Sequence, residues 1–94
     1  MHTLEYTLES HDRSATLYLR GELSTAGAMH ALNLCADLPS TVRALRVDCR
    51  GVGLFHPSAI DAFASLLGDW REGRGGMTHV ELPRERHFGL DRAD

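Results

Sequence analysis

The sequence predicts a small α/β domain, a mixed β-sheet with helices packed on one face, in the order β-β-α-β-α-β plus a short C-terminal segment. Three observations carry this. The first twenty residues alternate apolar and polar side chains in two runs joined by a polar turn. Two later stretches carry apolar residues at helical spacing. The short segments that separate and follow those stretches are apolar enough to lie within a sheet.

The first run is Thr3 to Glu9, with Leu4, Tyr6 and Leu8 on one side and Thr3, Glu5, Thr7 and Glu9 on the other. Ser10-His11-Asp12-Arg13 is a polar turn. Ala15, Leu17 and Leu19 resume the alternation, which is expected to stop at Gly21. So short a connection makes a hairpin. Ser24 is placed to cap a helix running to about Asp37, because its hydroxyl can accept from an otherwise unpaired N–H of the first turn. Ala28, Leu32, Cys35 and Ala36, with Met29, form the apolar stripe, and Pro39 ends the helix.

Val42 to Cys49 is the next strand, more continuously apolar and so expected inside the sheet. Gly51-Val52-Gly53 reads as a flexible loop leading to Leu54 and Phe55. Pro57 suits the first turn of a helix, where its missing N–H is not needed, and it pushes His56 towards extended geometry. Ile60, Phe63, Leu67 and Trp70 mark the core face of that second helix. Gly73-Arg74-Gly75-Gly76 stops it, and Met77 to Leu82 is a last short strand before Pro83. Arg84 to Asp94 is polar and is expected to add one short helix or to fray. The core should bring Leu17, Leu19, Leu45 and Val47 against Leu32, Phe63 and Leu67.

With 94 residues there is room for one domain, spanning 1–94. The 43% of hydrophobic residues suffices for a globular core, and the net charge of -3 opposes a nucleic-acid partner, which would need a basic stripe. All ten basic residues are Arg. Cys35 and Cys49 are too few for a disulfide scaffold and sit in apolar settings. No apolar run approaches the ~20 residues that span a membrane. The first residues lack the basic head and apolar stretch of a signal peptide. A cytoplasmic location without direct membrane insertion is the expectation.

No pattern calls for a metal, a cofactor or catalysis. The six histidines are scattered without a ligand spacing. There is no phosphate-cradling glycine loop ahead of a helix. Ser58 with His56 is too local for a triad, and Asp48, at a strand end, has no evident partner. The second helix exceeds its structural need, because Ala59, Ala62 and Leu66 form a second apolar strip beside the core face. A helix apolar over most of its circumference is buried deeply or covered by a partner. The expected docking surface is Leu54, Phe55, His56, Pro57, Ser58, Ala59, Ala62 and Leu66. The two glycines would let it project, and Pro57 would stiffen it. His56 offers a proton-dependent contribution near neutral pH.

The segment Val47-Asp48-Cys49-Arg50-Gly51-Val52-Gly53-Leu54-Phe55-His56-Pro57-Ser58-Ala59-Ile60 resembles the signature of STAS domains, the family of anti-sigma-factor antagonists and sulphate-transporter tails. Leu19-Arg20-Gly21-Glu22-Leu23 resembles the Gly-Glu-Leu-Asp at the end of that family's second strand, and Gly73 to Leu82 resembles its Gly-x-x-Leu-x-Leu-Val stretch. Arg86 to Asp91 faintly resembles the segment that follows. The likeness covers residues 4 to about 90 and rests on order and spacing. It implies a docking module whose partner is an anti-sigma factor or related kinase. That kinase switches the family's antagonists off by phosphorylating a Ser at the start of the second helix. A phosphate adds about two negative charges to such a surface. Here Pro57 stands at the acceptor position, so the usual switch is expected to be absent. Ser58, one residue on, is the remaining candidate acceptor, although Ser58-Ala59-Ile60-Asp61 also fits a helix-capping pattern. Ser24 replaces the family's Asp. A second implied role is that of an accessory subunit docking on the ATPase of a phospholipid-transporting ABC system. A homodimer is a further candidate assembly.

Overall fold

The computed structural model describes residues 4–83. The elements are β1 (Leu4–His11), β2 (Ser14–Leu23), α1 (Thr25–Ala36), β3 (Ala44–Phe55), α2 (Pro57–Arg74) and β4 (Met77–Glu81). The strands form one mixed sheet in the order β1-β2-β3-β4; β1 is antiparallel to β2, and β3 and β4 run parallel to their neighbours. This is the predicted order. The expected helix or frayed end over 84–94, and the resemblance at 86–91, lie outside the described residues.

The hairpin closes through Asp12 and Arg13, with Asp12 in the left-handed region at φ 57°. An acidic side chain of this length tolerates that conformation by bonding locally. Opposite Leu17 and Gly21, Leu8 and Leu4 pack partly against the core, while Tyr6 between them stays largely exposed. β1 is an edge strand and the core covers only part of it.

Two of the differences from the expected element limits share one cause. β2 does not stop at Gly21, and Gly51-Val52-Gly53 is not a loop. Both belong to one long parallel ladder in which β3 uses twelve residues against ten of β2. The two extra residues enter at register shifts between Tyr18 and Arg20 and between Gly21 and Glu22. These are bulges, each of which turns the side-chain alternation over by one. The inward positions on β3 are therefore Leu45, Val47 and Cys49, then Val52, then the half-buried Phe55. Gly51 is needed at the first bulge because a Cβ there would lie 2.9 Å from Arg20 Cγ and 3.1 Å from the carbonyl oxygen of Leu19.

α1 is capped by Ser24, whose Oγ accepts from the Gly27 N–H at 3.1 Å, as predicted. Ala28, Ala31, Leu32 and Cys35 are its buried face; Met29, expected in that stripe, is 50% exposed. α2 starts at Pro57 with His56 as an extended N-cap residue and ends on Gly75 in the left-handed conformation. The core joins Ala15, Leu17, Leu19, Leu45 and Val47 from the sheet to Leu32, Phe63, Leu67 and Trp70 from the helices. The seven side chains of the predicted contact set are all among them, joined by Ala15 and Trp70, and each large side chain so buried contributes roughly 1.5–3 kcal/mol. The opposite face of the sheet carries Thr7, Tyr18, Asp48 and Glu81 in one row across all four strands.

Candidate functional site

β2 and β3 are parallel, so their C-terminal ends lie together, and each is followed directly by a helix. The N-termini of α1 and α2 are thus neighbours at one end of the sheet. In open α/β sheets this is the end where strands leave binding residues. A hydrogen bond of 2.9 Å between Thr25 Oγ1 and Ser58 Oγ joins the first turns of the two helices. One turn back along the chain, the His56 ring pairs through Nε2 with Glu22 Oε2, and the His56 N–H donates to the Leu23 carbonyl at 3.1 Å. In the sequence, Glu22 stands out only as part of the Gly21-Glu22-Leu23 resemblance, and Thr25 only by its place beside the Ser24 cap.

The expected surface comes together in part. Leu54 is 52% exposed in the last turn of the β2–β3 ladder, paired with Glu22, and Pro57 and Ser58 are exposed at the start of α2. Phe55 and His56 are half-buried. The segment is no projecting loop: His56 is the single residue between β3 and α2. Ala59 is fully buried and leaves the surface, whereas Ile60, assigned to the core face, is 51% exposed. The apolar stripe is rotated by about one residue, because the inward Phe63, Leu67 and Trp70 are preceded one turn earlier by Ala59. Ala62 and Leu66 are half-buried, with Leu66 packed on the core. Ser58 does not cap α2. His56 holds the cap position without a side-chain hydrogen bond to the helix's own first turn, and Ser58 lies two residues further in, bonded to Thr25.

Asp48 has the partner that its sequence position did not reveal. It is 7% exposed and accepts from Arg50 three times: the backbone N–H at 3.0 Å, Nε at 3.0 Å and Nη2 at 2.8 Å. The bonds from the Arg50 side chain, opposed by burial, hold its carboxyl below the usual carboxylate range. Arg46 and Arg50 also reach Glu81 across to β4. These charges tile the face of the sheet away from the helices, remote from the Thr25–Ser58 end. Burial pushes the thiols of Cys35 and Cys49 up to about 11 and about 12; near Cys35 the Arg74 charge works against this, and near Cys49 the Asp48 charge adds to it. Among the described residues, no group of three or more His, Cys, Asp or Glu side chains could hold a metal ion, and no helix is long and apolar enough to cross a membrane.

No family model matches the sequence, and no curated protein matches it. Solved structures match its fold. One is Mglu, with a TM-score of 0.74 and 20% identity over 84% of this chain and 20% of that one. The antisigma-factor antagonist STAS domain from Rhodobacter sphaeroides matches with a TM-score of 0.62 and 14% identity, over 82% of this chain and 84% of that one. The anti-sigma factor antagonist SpoIIAA in its unphosphorylated form matches with a TM-score of 0.66 and 16% identity, over 86% of this chain and 72% of that one. This chain spans a fifth of the length of Mglu and most of the length of the two antagonists.

Proposed function

We propose that this chain, which has the fold of the antagonist STAS domains, is a non-catalytic regulatory module of the bacterial cytoplasm that docks on an anti-sigma factor or related kinase. The docking surface is centred on Leu54, Phe55, His56, Pro57 and Ser58 and extends along α2 past the half-buried Ala62 and Leu66. One observation supports this reading most: an exposed Leu54 stands beside Pro57 and Ser58 at the end of the sheet where both helices begin. A large apolar side chain there has more to gain from a partner than from solvent. The surroundings are rigid, because the Glu22–His56 and Thr25–Ser58 bonds tie β2, α1 and α2 together. Rigidity lowers the entropy lost on binding.

Pro57, at the family's acceptor position, has no hydroxyl to phosphorylate. The contact is therefore constitutive rather than switched at that residue. Ser58 is already engaged with Thr25 and makes a poor substitute.

The test is titration calorimetry with the cognate anti-sigma factor, using wild type and Leu54→Arg. The expected result is at least a tenfold loss of affinity, with a melting temperature within a few degrees of wild type, since the side chain is more than half exposed. Unchanged affinity would place the surface elsewhere. Selective binding to an ABC-transporter ATPase instead would overturn the choice of partner. Incubation with the kinase and ATP, followed by mass spectrometry, should leave Ser58 unmodified; stoichiometric phosphate there would refute the unswitched reading.

A further inference from the structure

The two edges of the sheet differ. β4 is five residues long and Pro83 follows soon after, whereas β1 runs eight residues in unbroken register against β2, its only strand partner among the described residues. Every second residue of β1 therefore turns its N–H and C=O outward with no strand to receive them. Exposed edges are usually blunted by shortness, a proline, a bulge or a lysine, and β1 has none of these. Its helix side is also apolar and incompletely covered. Leu4 and Leu8 pack partly on the core, and Tyr6 between them is 40% exposed. Gly27 of α1 lies against Leu4, since a Cβ there would fall 3.0 Å from Leu4 Cδ2. Ala31 and Leu34 continue the same stripe of α1 along β1, and Leu34 is 41% exposed. We infer that two copies of this chain pair antiparallel through β1, about a two-fold axis at Tyr6, and so join their two sheets into one.

Self-complementarity selects a second copy as the occupant. A two-fold axis perpendicular to the sheet keeps both sets of helices on one face, so residues of one face meet residues of the same face. The charges on β1 then choose the register. An axis at Glu5 sets that carboxylate opposite itself, and an axis at Thr7 sets Glu5 opposite Glu9; like charges directly opposite are destabilising. An axis at Leu8 puts Leu4 opposite Asp12, in the turn beyond the strand. At Tyr6 both conflicts vanish. Leu4 of each copy faces Leu8 of the other, the Tyr6 rings meet across the axis, and Glu5 faces the uncharged Thr7. The apolar row is matched along its whole length, and the outward N–H and C=O groups gain partners. Because the paired strands run in opposite directions, the ends of the two sheets that carry Leu54 and Pro57 point away from each other and stay open.

Sedimentation equilibrium of the full chain tests this. The mass should rise with concentration from that of one chain to that of two, and no further. Tyr6→Glu sets two like charges face to face at the axis and should weaken the dimer at least tenfold. Thr7→Lys, on the exposed face away from the helices, should instead tighten it roughly fivefold, because each new ammonium faces Glu5 of the other copy. With the axis at Thr7 the same change would set ammonium against ammonium, so a dimer weakened by Thr7→Lys would refute the register. If Tyr6→Glu fails to fold, as circular dichroism would show, Thr7→Lys decides alone. A single-chain mass at every concentration, in wild type and in Thr7→Lys, would overturn the proposal. So would a mass growing beyond two chains, which would mean edges stacking head to tail. The inference does not rest on the docking surface, and partner affinity at Leu54 is a separate readout, so the two readings can fail independently.

Discussion

The Arg74 guanidinium lies over the Trp70 ring, 4.8 Å from its centre, and the two side chains together close the C-terminal end of α1. Trp70 Nε1 donates to the Cys35 carbonyl at 3.0 Å. Arg74 donates to the carbonyls of Ala36 at 3.2 Å, Leu38 at 2.7 Å, Pro39 at 2.6 Å and Val42 at 3.1 Å. A helix end leaves its last carbonyls short of partners; Trp70 and Arg74 reach those of Cys35 and Ala36, and the rest of the Arg74 fork holds the connection that follows through Leu38, Pro39 and Val42.

Arg74→Ala should therefore destabilise by about 1.5–3 kcal/mol, the usual value of hydrogen bonds to a charged group, read as a lower urea midpoint. Arg74→Lys should recover less than half of the loss. An ammonium keeps the charge and loses the fork that reaches several carbonyls at once.

The two glycines that end α2 should respond differently to alanine. Gly75 has φ 62° and open space around its Cα, so Gly75→Ala should cost about 1 kcal/mol of left-handed strain. At Gly76 a Cβ would fall 2.2 Å from the Arg43 carbonyl oxygen. That carbonyl belongs to the chain entering β3 and also accepts from the Met77 N–H at 2.8 Å. Gly76→Ala should force β4 away from β3 and lower the melting temperature more than Gly75→Ala does. Equal melting temperatures would refute this.

Asp48 governs an acid limb of stability. Its folded-state carboxyl is held below the ordinary value of 3.8, chiefly by hydrogen bonds from the Arg50 side chain. A depressed carboxyl stabilises the fold fully above the unfolded value, and that contribution is lost as pH falls through the lower folded value. Wild-type stability should decline on acidification below about pH 4. Asp48→Asn should flatten that decline and cost about 0.5–1.5 kcal/mol at pH 7. Parallel acid limbs in the two proteins would contradict this.

Both thiols should resist modification in the native state. They are fully buried, and burial holds them protonated at neutral pH. Titration with an aromatic disulfide reagent at pH 8 should release almost no thiolate from native protein and two equivalents per chain in denaturant. Fast native labelling would show that the sheet–helix core opens readily.

The sequence by itself determined the element order, the Ser24 cap, the Pro57 start of α2 and most of the core, because each follows from local chemistry. Alternation, helical spacing, a capping hydroxyl and a proline without an N–H act within a few residues. Only the tertiary structure decided what Gly51 and Gly53 do. As a local pattern they are flexible, and only the parallel neighbour β2 turns them into bulge positions that keep Val52 and Phe55 facing inward. The exchange of Ala59 and Ile60 has the same origin. Both lie on apolar strips of α2, and which one is buried depends on the rotation at which Phe63, Leu67 and Trp70 meet the sheet. Ser58 found a hydroxyl thirty-three positions away because two parallel strands bring two helix starts together, so the partner lies across space and leaves no mark in the residues beside it.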